Sequence, residues 1–340
     1  MHLKKPLWST ALKETREPSS EAEPQPQQQS SAMATAVDEL VNSLNKQRLY
    51  REVTLALRTS LRDARAEFSF LRLRGLRSLL NFLRSVAQSD STINLFCQTQ
   101  SLPDLQVVPV LFQNSLKEGE EEQNVESLSH VFGVEPMRIT SPSTDAEIAL
   151  ALRVLEGCCL LHRESTVFAH QYKAIQVLMR VLSTRGVLEK SACLDALISI
   201  MLDSSPNQMG AYLGYVNCNQ TFIFGIWIED DHGIVILWMP LDFEACNGIE
   251  EVTVVIRDKQ VDENLRLKCG EFMLLLIGHL NGRERAPMPS IHEDVRRLLG
   301  EKSASLIWAA SQFGSTVDPE QRLMALQIQA RRVLESLDLY

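Results

Sequence analysis

The sequence predicts an all-α fold of the armadillo/HEAT-like α-solenoid class, and three observations carry that expectation. Apolar residues recur at helical spacing from Val37 onward (Val37, Leu40, Val41, Leu44, then Leu57, Leu61, Phe68), while strand-like alternation is nearly absent. Aromatic residues make up only 6% of the 340, too sparse for a typical all-β sandwich. A leucine-rich helix, a polar turn, a Phe and a second short helix also recur along the chain. Leu83 to Phe96 spans 13 residues, and so does Leu155 to Phe168. Aligning Ala151, Cys193 and Cys269 gives steps of 42 and, once a 32-residue segment is set aside, 44 residues, inside the period of about 40–47 of armadillo and HEAT arrays.

Taken in order, residues 1–32 are rich in Pro, Gln, Ser and Glu, bury too little apolar surface to offset the entropy of ordering, and are expected to form a disordered tail. Residues 33–340 are expected to form one armadillo-like helical domain. Residues 117–142 interrupt the first two repeats with an acidic run (Glu118, Glu120, Glu121, Glu122) and read as a surface loop. The loop ends at a helix start, where Thr144 and Glu147 have the spacing of a capping box. In the third repeat, residues 210–241 separate Leu197 from Phe243. They carry Tyr212, Tyr215, Phe222, Phe224, Trp227 and Trp238, a composition foreign to the rest. They read as an aberrant insertion from a retained intron or shifted exon boundary, with a β-hairpin around Asp230–Gly233 as the alternative. Beyond the Gly/Pro-rich stretch holding Gly282, Pro287 and Pro289, helices are expected around 291–299, 304–312 and 319–337, the last opened by Asp318-Pro319.

With 34 Lys+Arg against 43 Asp+Glu the net charge is -9, which argues against binding nucleic acid or anionic membrane through bulk charge. No apolar stretch approaches the 18 or more residues of a membrane helix, so no membrane insertion is expected. The seven cysteines lie among apolar residues with no C-x-x-C pair, the pattern of reduced thiols in the cytoplasm or nucleus. None has an Arg six positions later, as a phosphatase thiolate loop requires, and vicinal Cys158-Cys159 reads as core. His162 and His170 flank an inter-helix turn, without the spacing of a metal pair. Phosphate-cradling glycine motifs and the G-x-S-x-G elbow are missing. No catalytic, metal or cofactor residue is therefore assigned.

The strongest local feature is an arginine series: Arg58, Arg62, Arg65, Arg72, Arg74, Arg77 and Arg84, against only Asp63 and Glu67. Arg58, Arg62 and Arg65 follow i, i+4, i+7 and share a face on a continuous helix. Two readings stand side by side. One is an ordinary solvated face; the other is a guanidinium ridge, with Arg58, Arg62, Arg65 and Arg72 as partner-binding residues, accepting carboxylates or phosphates.

Four long stretches, EFSFLRLRGLRSLL at 67–80, STDAEIALALRVLEG at 143–157, ACLDALISIMLD at 192–203 and EKSASLIWAA at 301–310, resemble the cell division control protein 14 family of septation initiation network components, in its plant form. That family is distinct from the phosphatase of the same number. The resemblance implies a non-catalytic scaffold that binds a Ste20-like protein kinase and other cell-division signalling proteins, with no cofactor, and a cytoplasmic, nuclear or division-site location. It carries over no catalytic residues. An armadillo-type adaptor for other protein or peptide partners, and an enzyme with an unrecognised groove site, are the alternatives.

Overall fold

The computed structural model describes residues 27–117, 141–201, 228–230, 233–235, 238–280, 289–311 and 319–338. The chain forms two compact units, Met1–Leu49 and Tyr50–Tyr340. Helix α1 (Gln27–Ala64) contributes to both. It begins ahead of the expected domain start at Met33, so the tail expected over 1–32 is helical from Gln27 onward. Its Gln and Ala residues favour helix and follow directly on Pro26. The rest of that tail lies outside the described residues. In the first unit the apolar stripe of Val37, Leu40, Val41 and Leu44 is helical, as its spacing predicts, and exposed.

The second unit is an all-α solenoid. Its helices are α2 (Ser69–Val86), α3 (Asp90–Gln100), α4 (Val107–Gln113), α5 (Asp145–Leu161), α6 (Glu164–Gln171), α7 (Ala174–Thr184), α8 (Val187–Met201), α9 (Trp238–Ala245), α10 (Gly248–Arg257), α11 (Glu263–Leu280), α12 (Pro289–Leu299), α13 (Glu301–Ser311) and α14 (Pro319–Asp338). The long helices α2, α5, α8, α11 and α14 form a stack in which each packs on the next. Ser69 bonds Glu147 near the start of α2 and α5, while Leu83 meets Gly157 farther along both, so these two helices run parallel. Arg185 just before α8 pairs with Asp145 at 2.8 Å, and Arg153 on α5 pairs with Asp195, so α5 and α8 are parallel too. The apolar sides of these helices, among them Leu79, Leu152, Leu155, Leu194, Leu197 and Phe272, are fully buried and make the core.

Two repeats have the same plan. A short helix (α6, α9) ends, a single left-handed residue follows (Lys173, φ 53°; Asn247, φ 54°), and a second helix (α7, α10) leads to the long one. Arg153 and Asp195, facing each other across the preceding long helices, stand one repeat step of 42 residues apart. The left-handed joints at Lys173 and Asn247 are separated by more than that step. The excess equals the length of the segment that the repeat alignment sets aside, as the spacing predicts.

Its position differs from the expectation. Helix α9 starts at Trp238, so residues 238–241 belong to the repeat, and the extra length falls between the end of α8 and that point. Aromatic composition marked the segment, and that composition runs on into Trp238, the first residue of α9; within the repeat, Ala169 rather than Phe168 occupies the position of Phe243, and both Ala169 and Phe243 are buried. Within the segment, two short strands, β1 (Ile228–Asp230) and β2 (Gly233–Val235), pair antiparallel with Ile228 opposite Val235, around the turn sequence that signalled a hairpin. The remainder of the segment, and the acidic run at 118–122, lie outside the described residues. No helix among the described residues is long and apolar enough to cross a membrane.

Candidate functional site

The arginine series divides into two environments. Arg72 is 4% exposed, and its guanidinium closes a knot between three chain segments. Its Nε donates to Glu147 Oε1 at 2.7 Å and its Nη2 to Glu147 Oε2 and to the Ser141 carbonyl (2.8 Å), while Nη1 donates to the Glu67 carbonyl at 2.7 Å. Arg72 is thus a structural residue and not part of an exposed ridge, which corrects its assignment to partner binding. A buried charge is tolerated here because its N–H groups meet a carboxylate and backbone carbonyls within hydrogen-bond range. Glu147 departs from the capping-box expectation for the same reason. Thr144 Oγ1 does accept from the Glu147 amide, at 3.3 Å, but the Glu147 carboxylate turns away to Arg72 and to Ser69 Oγ (2.6 Å). Burial alone would raise the Glu147 carboxyl; hydrogen bonds from Arg72, Ser69 and Ser115 outweigh it and hold the group below the ordinary value.

Arg58, Arg62 and Arg65 are exposed, but only the first two continue one helical face. Arg65 follows the last residue of α1 and reaches away to the Asp104 carbonyl, 3.0 Å from its Nη2. Arg62 instead shares a carboxylate with a residue of the next helix: Asp63 accepts from Arg62 at 3.4 Å and from Arg74 of α2 at 2.9 Å. The helices approach this closely because Gly75 has no side chain. A Cβ there would lie 2.4 Å from the Ala64 amide nitrogen, and Ser60 and Ser78 hydroxyls bond at 2.8 Å alongside. The bond from Arg74 is the largest influence on Asp63, and it and the other arginine contacts outweigh burial, holding the carboxyl below its usual range. The exposed basic surface is therefore a two-helix patch of Arg58, Arg62, Arg74 and Arg77, where the sequence pattern suggested a ridge of Arg58, Arg62, Arg65 and Arg72.

A second polar arrangement runs across the long-helix stack and joins three repeats. Asp195 of α8 accepts from Arg153 of α5 and from Lys268 Nζ of α11, the latter at 2.6 Å. Lys268 also donates to Ser191 (3.0 Å), and Arg153 to Glu156 (3.1 Å). Glu156 and Glu271 flank this ladder. Burial, reinforced by the Asp195 charge, pushes both carboxyls up despite the nearby cations. The signal was present in sequence as opposite charges one repeat step apart, but it emerges only once the step is used to align charges as well as apolar residues.

Four thiols, Cys158, Cys159, Cys193 and Cys269, are buried in the core. Burial raises Cys158 far above the ordinary thiol value and pushes Cys159 and Cys269 up to about 12; Cys193 rises as well. His162 is buried, with Nδ1 3.0 Å from Ser165 Oγ, and His170 lies 2.8 Å from Asp242, linking α6 to α9. Among the described residues no three of His, Cys, Asp or Glu gather as a metal site. A cleft of about 290 Å3 opens between α11, α12 and α13, where His292 packs edge-on against Trp308 at 3.9 Å. In it the Ser305 hydroxyl donates to the Glu301 carbonyl, and the Glu301 carboxylate holds Arg296 at 2.9 Å. The Arg296–Glu301 pair joins α12 to α13, and the Ser305 bond lies within α13.

The chain matches no protein-family model and no curated protein. Among solved structures it is similar to the crystal structure of an engineered protein, at 11% identity and a TM-score of 0.44, over 84% of this chain and 99% of that one.

Proposed function

We propose that the protein is a non-catalytic scaffold that binds a Ste20-like protein kinase in a septation-initiation-like cell division pathway. The observation that supports it most is the pairing of a repeat stack, which offers neighbouring helices as a continuous binding surface, with buried thiols held in the protonated form. A scaffold needs exposed docking surface and no reacting group, and the exposed arginines of α1 and α2 are such a surface. The family-like stretches at 67–80, 143–157 and 192–203 overlap α2, α5 and α8, consecutive members of the stack.

Tagged protein purified from dividing cells is expected to carry a Ste20-like kinase, and the kinase should be more protease-resistant in its presence, since binding stabilises the bound form by mass action. Purified alone, the protein should show no phosphatase turnover. Turnover that vanishes in Cys158→Ser/Cys159→Ser protein would overturn the scaffold reading. A second reading, an adaptor for an extended peptide, is favoured by the half-exposed ladder of Arg153, Asp195 and Lys268; it predicts binding without any effect on a kinase.

A further inference from the structure

We propose that the arginine patch built by α1 and α2 docks a phosphorylated, acidic segment of a protein partner. The inference rests on the scaffold reading only in taking the occupant to be a protein. The patch has two tiers. In the first, Arg62 (75% exposed) and Arg74 (63% exposed) share the Asp63 carboxylate, leaving one positive charge in excess. The second lies one turn away. The contacts of Ser60 with Ser78 and of Ala64 with Gly75 set α1 and α2 antiparallel, so stepping back from Arg62 to Arg58 and forward from Arg74 to Arg77 moves in the same direction. Arg58 and Arg77 are exposed, and the residues beside them, Thr59, Ser78 and Asn81, are uncharged.

Four exposed guanidiniums, two of them paired with the single carboxylate of Asp63, leave a surplus of three positive charges on an otherwise acidic chain of net charge -9. Guanidinium forks suit the planar, bidentate recognition of phosphate oxygens, and the tier spacing of about 5.4 Å, one helical turn, matches neighbouring phosphate or carboxylate groups on a short segment. The same overall charge disfavours an extended polyanion such as a membrane surface or nucleic acid. A short segment senses mainly charges within a Debye length of about 8 Å, and so meets the patch alone.

The test uses the full chain and three probes: a fluorescent acidic peptide carrying two phosphoserines, its unphosphorylated counterpart, and vesicles containing phosphatidylserine. The phosphopeptide is expected to bind about tenfold more tightly than its counterpart, since charge-assisted bidentate bonds are the strong ones. Arg58→Gln/Arg77→Gln should abolish that advantage. Asp63→Asn, which removes the competing carboxylate, should tighten binding about fivefold at low salt. Circular dichroism would verify that each variant keeps its helices. Equal affinity for the two peptides, affinity unchanged in the arginine variant, or vesicle binding without phosphopeptide binding would each overturn the proposal. Co-purification of a kinase with the Arg58→Gln/Arg77→Gln protein would overturn this docking site while leaving the scaffold reading in place.

Discussion

Gly248 shows how finely one repeat is fitted. In the α6–α7 repeat the equivalent positions hold Ala169 and Ala174, both fully buried; in the α9–α10 repeat they hold Phe243 and Gly248. The larger ring takes the volume that the smaller neighbour releases, and a Cβ on Gly248 would come within 2.2 Å of the Phe243 ring. Gly248→Ala is therefore expected to destabilise by about 1–3 kcal/mol, the cost of overpacking a close-packed core, read as a lower Tm. Combining it with Phe243→Leu should recover part of the loss. At the Arg72–Glu147 knot the expected effects are larger. Arg72→Met leaves a buried carboxylate without its partner and should cost about 3–5 kcal/mol. The Glu147 carboxyl is lowered in the fold, so its stabilisation is complete above the unfolded value of about 4.3 and is lost as pH falls through the folded value. Glu147→Gln should flatten that acid limb in a Tm-against-pH series. Glu156 and Glu271 have the opposite sign: their raised values make the charged forms costly at neutral pH, and acidification relieves that cost. Apolar spacing made the helices around these residues readable. The roles of Arg72 and Gly248 were not, because each depends on what another part of the chain places beside it.

For the elements, the inserted segment gives the sharpest expectation. Deleting residues 204–235 brings the left-handed joints at Lys173 and Asn247 back to one repeat step of 42 residues, and should leave the helical content per residue unchanged or higher without lowering Tm. Deleting residues 210–241 instead cuts into the start of α9 and should lower Tm, since α9 packs on α7 and α10. Scanning calorimetry of the two deletions decides between these boundaries; a lower Tm for both would make the segment part of the fold. The extra length between the joints at Lys173 and Asn247 was legible because solenoid repeats keep step with their neighbours. Its edges were not, because the aromatic composition that marked the segment continues into Trp238, the first residue of α9. The arginine face was likewise half legible. Spacing along α1 predicted Arg58 and Arg62 together, but nothing in that spacing foretold that Gly75 would bring α2 close enough for Arg74 to share Asp63.

On the scale of the molecule, stability in a stack is carried mainly by nearest-neighbour interfaces, so damage to one interface should spread only as far as the adjoining repeats. Asp195 is the shared counter-charge of two such interfaces, α5 with α8 and α8 with α11. Asp195→Ala should therefore lower the protection of all three helices in hydrogen exchange while leaving α1 and α2 near their original values. The order of the stack was legible from the repeat step, whereas this charge link was hidden by its length in sequence. The long link between α8 and α9 has a further consequence, because it joins helices whose union does not depend on the peptide chain between them. The interface of α8 with α11 and the contacts of α9 with α7 both cross this point. A chain cut within residues 206–237 should consequently behave as two complementing halves: co-expressed fragments 1–205 and 238–340 should reassemble, making this the natural place to split the protein into a reporter of its own assembly.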